Sequence, residues 1–311
     1  MKVALIHFQP PEYYPPLINV CEFLSKKFDR SSLSLFTNST RELEPKDSIE
    51  NTSRVICFNK RDRRFKRFIK VLYFNLFVTF QLFKTRPSTV LYFETSSSFP
   101  AFLYLLVFSR TTRLFIHYHE YTSLLQYKQG MVMDRIWHFF EIHFLYKKAY
   151  WISHTNHFRI KLFLGDYKKV NPQLMKELPN FPPQSWIVPS SIANERMRAT
   201  PYRMVQLGSI STKHMYAREL FDWVQKMNGL FLLDIYSFTT QPDVAAYLQK
   251  LNSPYIQIKG SINYGEIPEV LLDYDIGVVL YKAHSENFIY NASNKVFEYL
   301  ALGLDVWISK V

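Results

Sequence analysis

The 311 residues are 48% hydrophobic and 21% charged with 8 glycines, which excludes a disordered, collagen-like or repeat-biased chain and predicts two domains with sizeable cores. Two cysteines, Cys21 and Cys57, exclude a disulfide framework, and their apolar surroundings predict a small buried hydrophobe at each. The formal net charge is +12, yet the residues from Trp186 onward hold 11 of the 38 Lys and Arg and 12 of the 26 Asp and Glu, so the positive excess lies in the N-terminal half.

In chain order, Lys2–Phe8 reads as an apolar strand ending at a Pro-rich turn, with no secretory leader before it. A helical period over Ile18–Phe28 follows, and then strand patterns at Leu33–Phe36, Arg54–Phe58, Thr89–Phe93, Leu114–Tyr118 and Tyr150–Ser153. Helix-length segments separate these strands, Met131–Lys148 being the clearest. Near-continuous apolar strands joined by helices imply a parallel sheet covered on both faces. The prolines of Asn180–Pro189 mark a break, and the alternation then restarts. Strands are expected at Arg203–Leu207, Phe231–Tyr236, Tyr255–Lys259, Ile276–Leu280 and Val306–Ser309. Helices are expected at Met215–Met227, Pro242–Leu251, Ile267–Asp273 and Asn294–Leu302. The reading is α/β, with two Rossmann-like doubly wound domains: 1–182, a linker over 183–200, and 201–311. Such a pair is expected to face a ligand cleft at the carboxyl ends of the strands.

The basic excess is densest in Lys60–Lys70, with seven basic residues and one acidic. It runs into an apolar stripe at helical spacing: Phe65, Phe68, Ile69, Leu72, Leu76, Phe80 and Phe83. A basic helix with an aromatic face suits an anionic membrane surface, with Arg63, Arg64, Lys66 and Arg67 as the contact residues. The alternative is a core helix with a solvated basic end. No nucleic-acid motif accompanies the patch, and no nucleic acid is expected as a partner.

The segment Asn291–Ser309 carries the strongest chemical signal. Val296, Tyr299 and Leu300 form an inward stripe, while Lys295 and Glu298 share the neighbouring face near the helix start. A helix N-terminus attracts phosphate through free N–H groups, Lys295 adds positive charge there, and Glu298 can accept from two adjacent ribose hydroxyls. The alternative is a surface Lys–Glu pair worth ~0.3–0.5 kcal/mol. This Asn-Lys-x-x-Glu-Tyr-Leu-Ala-x-Gly pattern resembles the donor-binding segment of retaining GT-B glycosyltransferases of the family-4 type, as found in bacterial surface-polysaccharide assembly. Met204–Ile210 (MVQLGSI), Tyr264–Tyr281, His117–Glu120 (HYHE), Tyr150–Phe158 and Leu178–Pro182 resemble other pieces of that family in the same order.

The resemblance implies transfer of a sugar from a nucleotide-diphosphate sugar to a glycan or lipid-linked acceptor, at the cytoplasmic face of the membrane. It implies His119, Lys295 and Glu298 as the catalytic set. Gly208, Ser209, Lys213, Gly260, Tyr290, Asn291 and Asn294 are implied on the donor side, and Glu94, Ser96 and Glu120 on the acceptor side. Glu94 and Ser96–Ser98 equally suit a helix N-cap before Pro100. No cofactor or metal is expected, since no Asp-x-Asp triplet or tight His/Cys cluster occurs. Tyr290 stands where many relatives carry a sugar-facing Glu, and Gly208 is followed by Ser209 rather than Arg. The chain ends at Val311, where relatives continue through further helices, so the second domain is expected to be incomplete. A nucleotide-sugar epimerase and a non-catalytic membrane-associated protein of the same fold are the alternatives.

Overall fold

A computed structural model describes residues 1–40, 49–58, 64–189, 200–237 and 240–310, the side chains of Phe58 and Arg64 excepted. They form two compact units, Met1–Pro179 and Asn180–Val311.

The N-terminal unit contains β1 (Val3–His7), α1 (Pro15–Lys27), β2 (Leu33–Thr40), β3 (Thr52–Phe58), α2 (Arg64–Thr85), β4 (Thr89–Phe93) and α3 (Ser98–Phe108). It continues with β5 (Arg113–Tyr118), α4 (Leu124–Gln129), α5 (Val132–Phe140), a π-helical turn over Glu141–Leu145, α6 (Tyr146–Lys148), β6 (Ala149–His154), α7 (His157–Asp166) and β7 (Met175–Glu177). All pairings are parallel, and the sheet order is β3-β2-β1-β4-β5-β6-β7. The chain leaves β1 in one direction and returns to β4 on the other side, so the topological switch lies between β1 and β4, where open sheets of this kind bind ligands.

Burial follows from that winding. Phe74, Val78 and Leu82 of α2, Ala101, Tyr104 and Leu105 of α3, and Leu145 of the π-turn cover one face of the sheet. Leu17 and Cys21 of α1 pack on Val3, Leu5, Leu33 and Leu35 on the other. Right-handed crossovers run each helix antiparallel to its strands. The first turns of α2, α3 and α5 therefore sit at the carboxyl edge of the sheet.

Two expectations are corrected here, and one strand was not foreseen. Cys57 is exposed, not buried, because β3 is an edge strand with one uncovered side. The stripe Phe65, Phe68, Ile69, Leu72, Leu76, Phe80 is the outward face of α2, while Phe74, Val78 and Leu82 between them fill the core; α2 is thus not a helix whose aromatic stripe is the core face. Strand β7 escaped the pattern because it is three residues long and two of them are exposed. Arg63 lies outside the described residues; Lys66 and Arg67 stand exposed on the first turn of α2.

The C-terminal unit contains β8 (Tyr202–Leu207), α8 (Ala217–Lys226), β9 (Phe231–Tyr236), α9 (Pro242–Leu251), β10 (Ile256–Gly260), α10 (Ile267–Leu271), β11 (Ile276–Val279), α11 (Glu286–Ile289), α12 (Asn294–Ala301) and β12 (Asp305–Ile308). Its parallel sheet has the order β10-β9-β8-β11-β12, which puts the switch between β8 and β11. The segment after Pro179 packs within this unit: Asn180 Nδ2 donates to the Ala292 carbonyl (2.9 Å) and Val188 N–H to that of Ala301 (2.8 Å). No helix among the described residues is long and apolar enough to cross a membrane.

Tyr299 fastens α12 to the sheet. Its ring is fully buried, and its hydroxyl accepts from Leu207 N–H at 3.0 Å. A Cβ on Gly277 would lie 2.1 Å from that ring, so glycine is required where β11 passes beneath. Gly277→Ala is expected to cost about 2 kcal/mol by overpacking, read as a lowered urea midpoint with unchanged slope. Leu300, expected to point inward, is 59% exposed instead, because the inward face of α12 is carried by Tyr299 and Glu298.

Candidate functional site

Each switch point carries one cluster of polar groups. In the C-terminal unit, β8 ends at Gly208, whose φ of +81° suits glycine and whose N–H donates to the Tyr236 carbonyl at 2.8 Å. Lys295, in the first turn of α12, lies across this glycine: a Cβ at 208 would be 2.8 Å from Lys295 Cε and 3.1 Å from Nζ. Ser293, the N-cap of α12, makes no side-chain capping bond, so α12 begins without that internal partner for its N–H groups. One turn on, Glu298 is 4% exposed. Burial raises its carboxyl to about 7, opposed by the charge of Lys295. Among the described residues no side chain makes a hydrogen bond to its carboxylate. A buried carboxylate left open, a lysine over a strand-end glycine and a helix N-terminus form a donor set for an anion with adjacent hydroxyls.

The remaining donor-side residues are placed less tightly. Asn291 and Asn294 flank the start of α12 and are half-buried. Tyr290 closes α11, its N–H donating to the Glu286 carbonyl at 2.9 Å. Ser209 and Lys213 are exposed on the loop after Gly208, where Ser211 Oγ accepts from the N–H groups of Lys213 and His214. Gly260 closes β10, the edge strand two places from β8, so the sheet order separates it from the Gly208–Lys295 cluster. Sequence reasoning missed a tie across this loop: His214 Nδ1 and His284 Nε2 are 2.9 Å apart, and Lys282 Nζ donates to the Thr212 carbonyl at 3.0 Å.

In the N-terminal unit the cluster is built on the ends of β1, β4 and β5. His119 is buried with its ring between Phe93 (5.5 Å between centroids) and Tyr14 (5.3 Å). Neither ring nitrogen has a hydrogen-bond partner among the described residues. Burial, then the nearby His117, His7 and Arg159, holds its pKa well below 6.5, so the ring is neutral at pH 7. The neighbours behave alike: burial brings His7 down to about 4 and His117 down to about 3. Two groups that sequence reasoning did not connect hold the His119 backbone. Arg159 Nη1 donates to its carbonyl at 2.5 Å, and Glu94 Oε1 accepts from its N–H at 2.6 Å and from that of Glu120 at 3.3 Å.

Glu94 has φ 62° and ψ 154°, a region that non-glycine residues enter at a cost of about 1–3 kcal/mol. Burial, then the Glu120 charge, raises its carboxyl to about 8 despite the two backbone donors. The alternative role expected for Glu94 and Ser96–Ser98 is corrected: none of these side chains caps α3. Instead Ser97 Oγ accepts from Phe8 N–H at 2.8 Å, tying β1 to the loop after β4, while Ser96 stays half-buried beside it. Glu120 is exposed.

Behind this cluster lies a second, buried polar group. Glu141, in the π-turn, accepts from Tyr92 (2.9 Å) and Tyr118 (2.8 Å) on Oε1 and from Thr95 (2.8 Å) on Oε2, with His138 Nδ1 at 3.2 Å. Tyr167 OH sits 2.7 Å from His138 Nε2, and Tyr127 OH 2.6 Å from Thr95 Oγ1. The network joins the residues following β4 and ending β5 to α4 and α5. Among the described residues no group of three or more His, Cys, Asp or Glu side chains is arranged to hold a metal ion.

No family model matches the chain, and no curated protein sequence matches it. Solved structures do. The lipopolysaccharide outer core galactosyltransferase WaaB, in its apo form, is 13% identical, with a TM-score of 0.60 over 99% of this chain and 80% of its own. Sucrose-phosphate synthase from Thermosynechococcus elongatus is 12% identical, with a TM-score of 0.69 over 100% and 82%. HepE from Anabaena, solved with UDP and glucose, is 9% identical, with a TM-score of 0.64 over 98% and 80%. UDP-N-acetylglucosamine 2-epimerases are also among the similar structures. At these identities the likeness is one of architecture: two parallel-sheet Rossmann-like domains, the GT-B fold.

Proposed function

We propose that the protein is a glycosyltransferase that takes a sugar from a nucleotide-diphosphate sugar and passes it to a glycan or lipid-linked acceptor, with retention, at the cytoplasmic face of a membrane. The observation that carries this reading is Lys295 laid over Gly208 at the switch point of the C-terminal unit, with the open carboxylate of Glu298 one turn behind it. In this reading Glu298 accepts from the ribose hydroxyls. As the sugar C1–O bond breaks, negative charge grows on the diphosphate, and Lys295 with the N–H groups of α12 and the Gly208 loop stabilises it. Gly208, Ser209, Lys213, Asn291 and Asn294 surround the donor, and Tyr290 takes the sugar side. In the N-terminal unit, neutral His119 offers a hydrogen bond to a sugar hydroxyl, and Glu94 and Glu120 set its loop on the acceptor side. Glycosyltransferases among the structural neighbours support the reaction class, and WaaB supports a surface-polysaccharide role. No metal or cofactor enters the proposal.

The epimerases among the neighbours favour a second reading in which the same donor site serves sugar inversion at C2. Thermal-shift measurements with UDP, GDP, ADP, CMP and dTDP, with and without EDTA, test the donor site directly. One nucleoside diphosphate is expected to raise Tm in both conditions, and the corresponding nucleotide sugar is expected to release it when acceptor is added. No shift with any nucleotide would overturn the proposal. Conversion of the nucleotide sugar to its epimer without acceptor would favour the second reading.

A further inference from the structure

The helical layer over one face of the N-terminal sheet keeps large apolar side chains in solvent. On α2 the stripe runs from Phe65, 75% exposed, through Phe68, Ile69, Leu72 and Leu76 to Phe80. On α4 and α5 it comprises Leu125, Met131 (71% exposed), Val132, Ile136 and Phe139. Helix α3 lies between them: its Phe108 meets Phe83 of α2 (5.6 Å between centroids), and its Phe102 stacks on Phe140 of α5 (4.2 Å). At helix spacings of 8–10 Å, α2 and α5 stand about 20 Å apart. Their first turns share the carboxyl edge of the sheet, the edge that also carries His119 and Glu94. The α4–α5 turn at Gly130–Met131 is at this edge too.

The charge of this layer indicates what covers it. Residues 64–140 contain ten Lys and Arg against three acidic residues: Glu94 and Glu120, both assigned above to the site, and Asp134 on the first turn of α5. On the rim itself Lys66, Arg67, Lys128 and Arg135 are exposed beside the apolar side chains. A helix that is apolar along its outer stripe and basic at one end matches the boundary between anionic headgroups and acyl chains.

We infer that the carboxyl-edge rim of the N-terminal unit, made by the first turns of α2 and the α4–α5 turn, inserts its apolar side chains into an anionic bilayer. The inference rests on the membrane-face part of the proposed function. It moves the contact from the basic run alone to two apolar points, with the basic side chains steering approach. The acceptor loop at His119 then faces a lipid-linked substrate at the depth of its headgroup.

Flotation of the full chain with phosphatidylcholine vesicles containing one-third phosphatidylglycerol tests this, at low salt and at about 0.5 M salt, where exposed charges are screened. The variant pairs Phe65→Ser with Phe68→Ser, and Met131→Ser with Val132→Ser, alter exposed residues and are expected to keep the native Tm. Each pair is expected to lower partitioning about tenfold or more at both salt concentrations, since each side chain withdrawn gives up most of its transfer free energy. Lys66→Gln with Arg67→Gln is expected to lower it at low salt alone. Wild-type binding that vanishes at high salt, or apolar variants that float like wild type, would overturn the inference. So would a change from dimer to monomer in the apolar variants with flotation unchanged, which would assign the rim to a second copy of the chain. Nucleotide affinity is read separately in every variant; its absence with flotation intact would overturn the transferase reading and leave the rim standing.

Discussion

Replacing Lys295 with alanine is expected to lower kcat about 10²–10³-fold while leaving the fold intact, the range seen when one positioned donor to a developing anion is removed. The side chain is half-buried and rests on Gly208, so its truncation opens space at the surface and leaves the Tyr299 anchor of α12 undisturbed. The acceptor KM should stay near wild type, because the groups assigned to the acceptor belong to the other unit. Gly208→Ala acts on the same contact from below: its Cβ would push Lys295 away, and a φ of +81° would strain the loop. Steady-state release of nucleoside diphosphate measures both variants. A Lys295→Ala enzyme with unchanged kcat would remove this residue from the charge-stabilising set.

Glu298→Gln is expected to separate binding from stability. Burial raises the carboxyl of Glu298 from 4.5 to about 7 in the folded protein. A carboxyl whose folded pKa is raised contributes stability that is fully present below pH 4.5 and is lost as pH climbs through 7. Without nucleotide, wild type should therefore lose on the order of 3 kcal/mol between pH 4.5 and pH 8 from this group. Glutamine has no such titration, so the variant should be more stable than wild type at pH 8 and similar at pH 4.5. Nucleotide affinity should fall in the variant by about 1.5–3 kcal/mol, the worth of hydrogen bonds to a charged group. Urea unfolding across pH, paired with calorimetric titration of the nucleoside diphosphate selected by thermal shift, reads both effects. A variant with the wild-type pH dependence would show that Glu298 does not bear the cost of burial. Equal nucleotide affinity would show that it is not in the site.

The parts of this protein that were legible in its sequence are those set by near neighbours in the chain. Strands Thr89–Phe93 and Phe231–Tyr236 and helix Pro242–Leu251 stand where their patterns put them, since period, turn residues and a proline at the helix start are local signals. The proximity of Lys295 and Glu298 follows from one turn of helix. What escaped depends on partners far away in the chain. Gly277 is needed by the ring of Tyr299, Arg159 holds the carbonyl of His119, and His214 meets His284. The tether from Glu94 is hidden twice, because neither its backbone conformation nor its reach to the loop after β5 has a local sequence pattern. On α2 the period was readable and the side was not: both faces are apolar, and burial of Phe74, Val78 and Leu82 is decided by the sheet beneath.

The hydrogen bonds converging on Glu141 have a consequence for how this unit opens. Separating α5 from the sheet would strip the carboxyl of Tyr92, Tyr118 and Thr95 in one event, and would also break the ring contact of Phe140 with Phe102. No partial opening that spares some of these bonds is cheap, because each buried donor left unmatched costs about 1–3 kcal/mol. The amides of β4, β5 and α5 should therefore exchange with solvent deuterium as one cooperative block, with a shared protection factor, while those of the edge strand β3 exchange ahead of them.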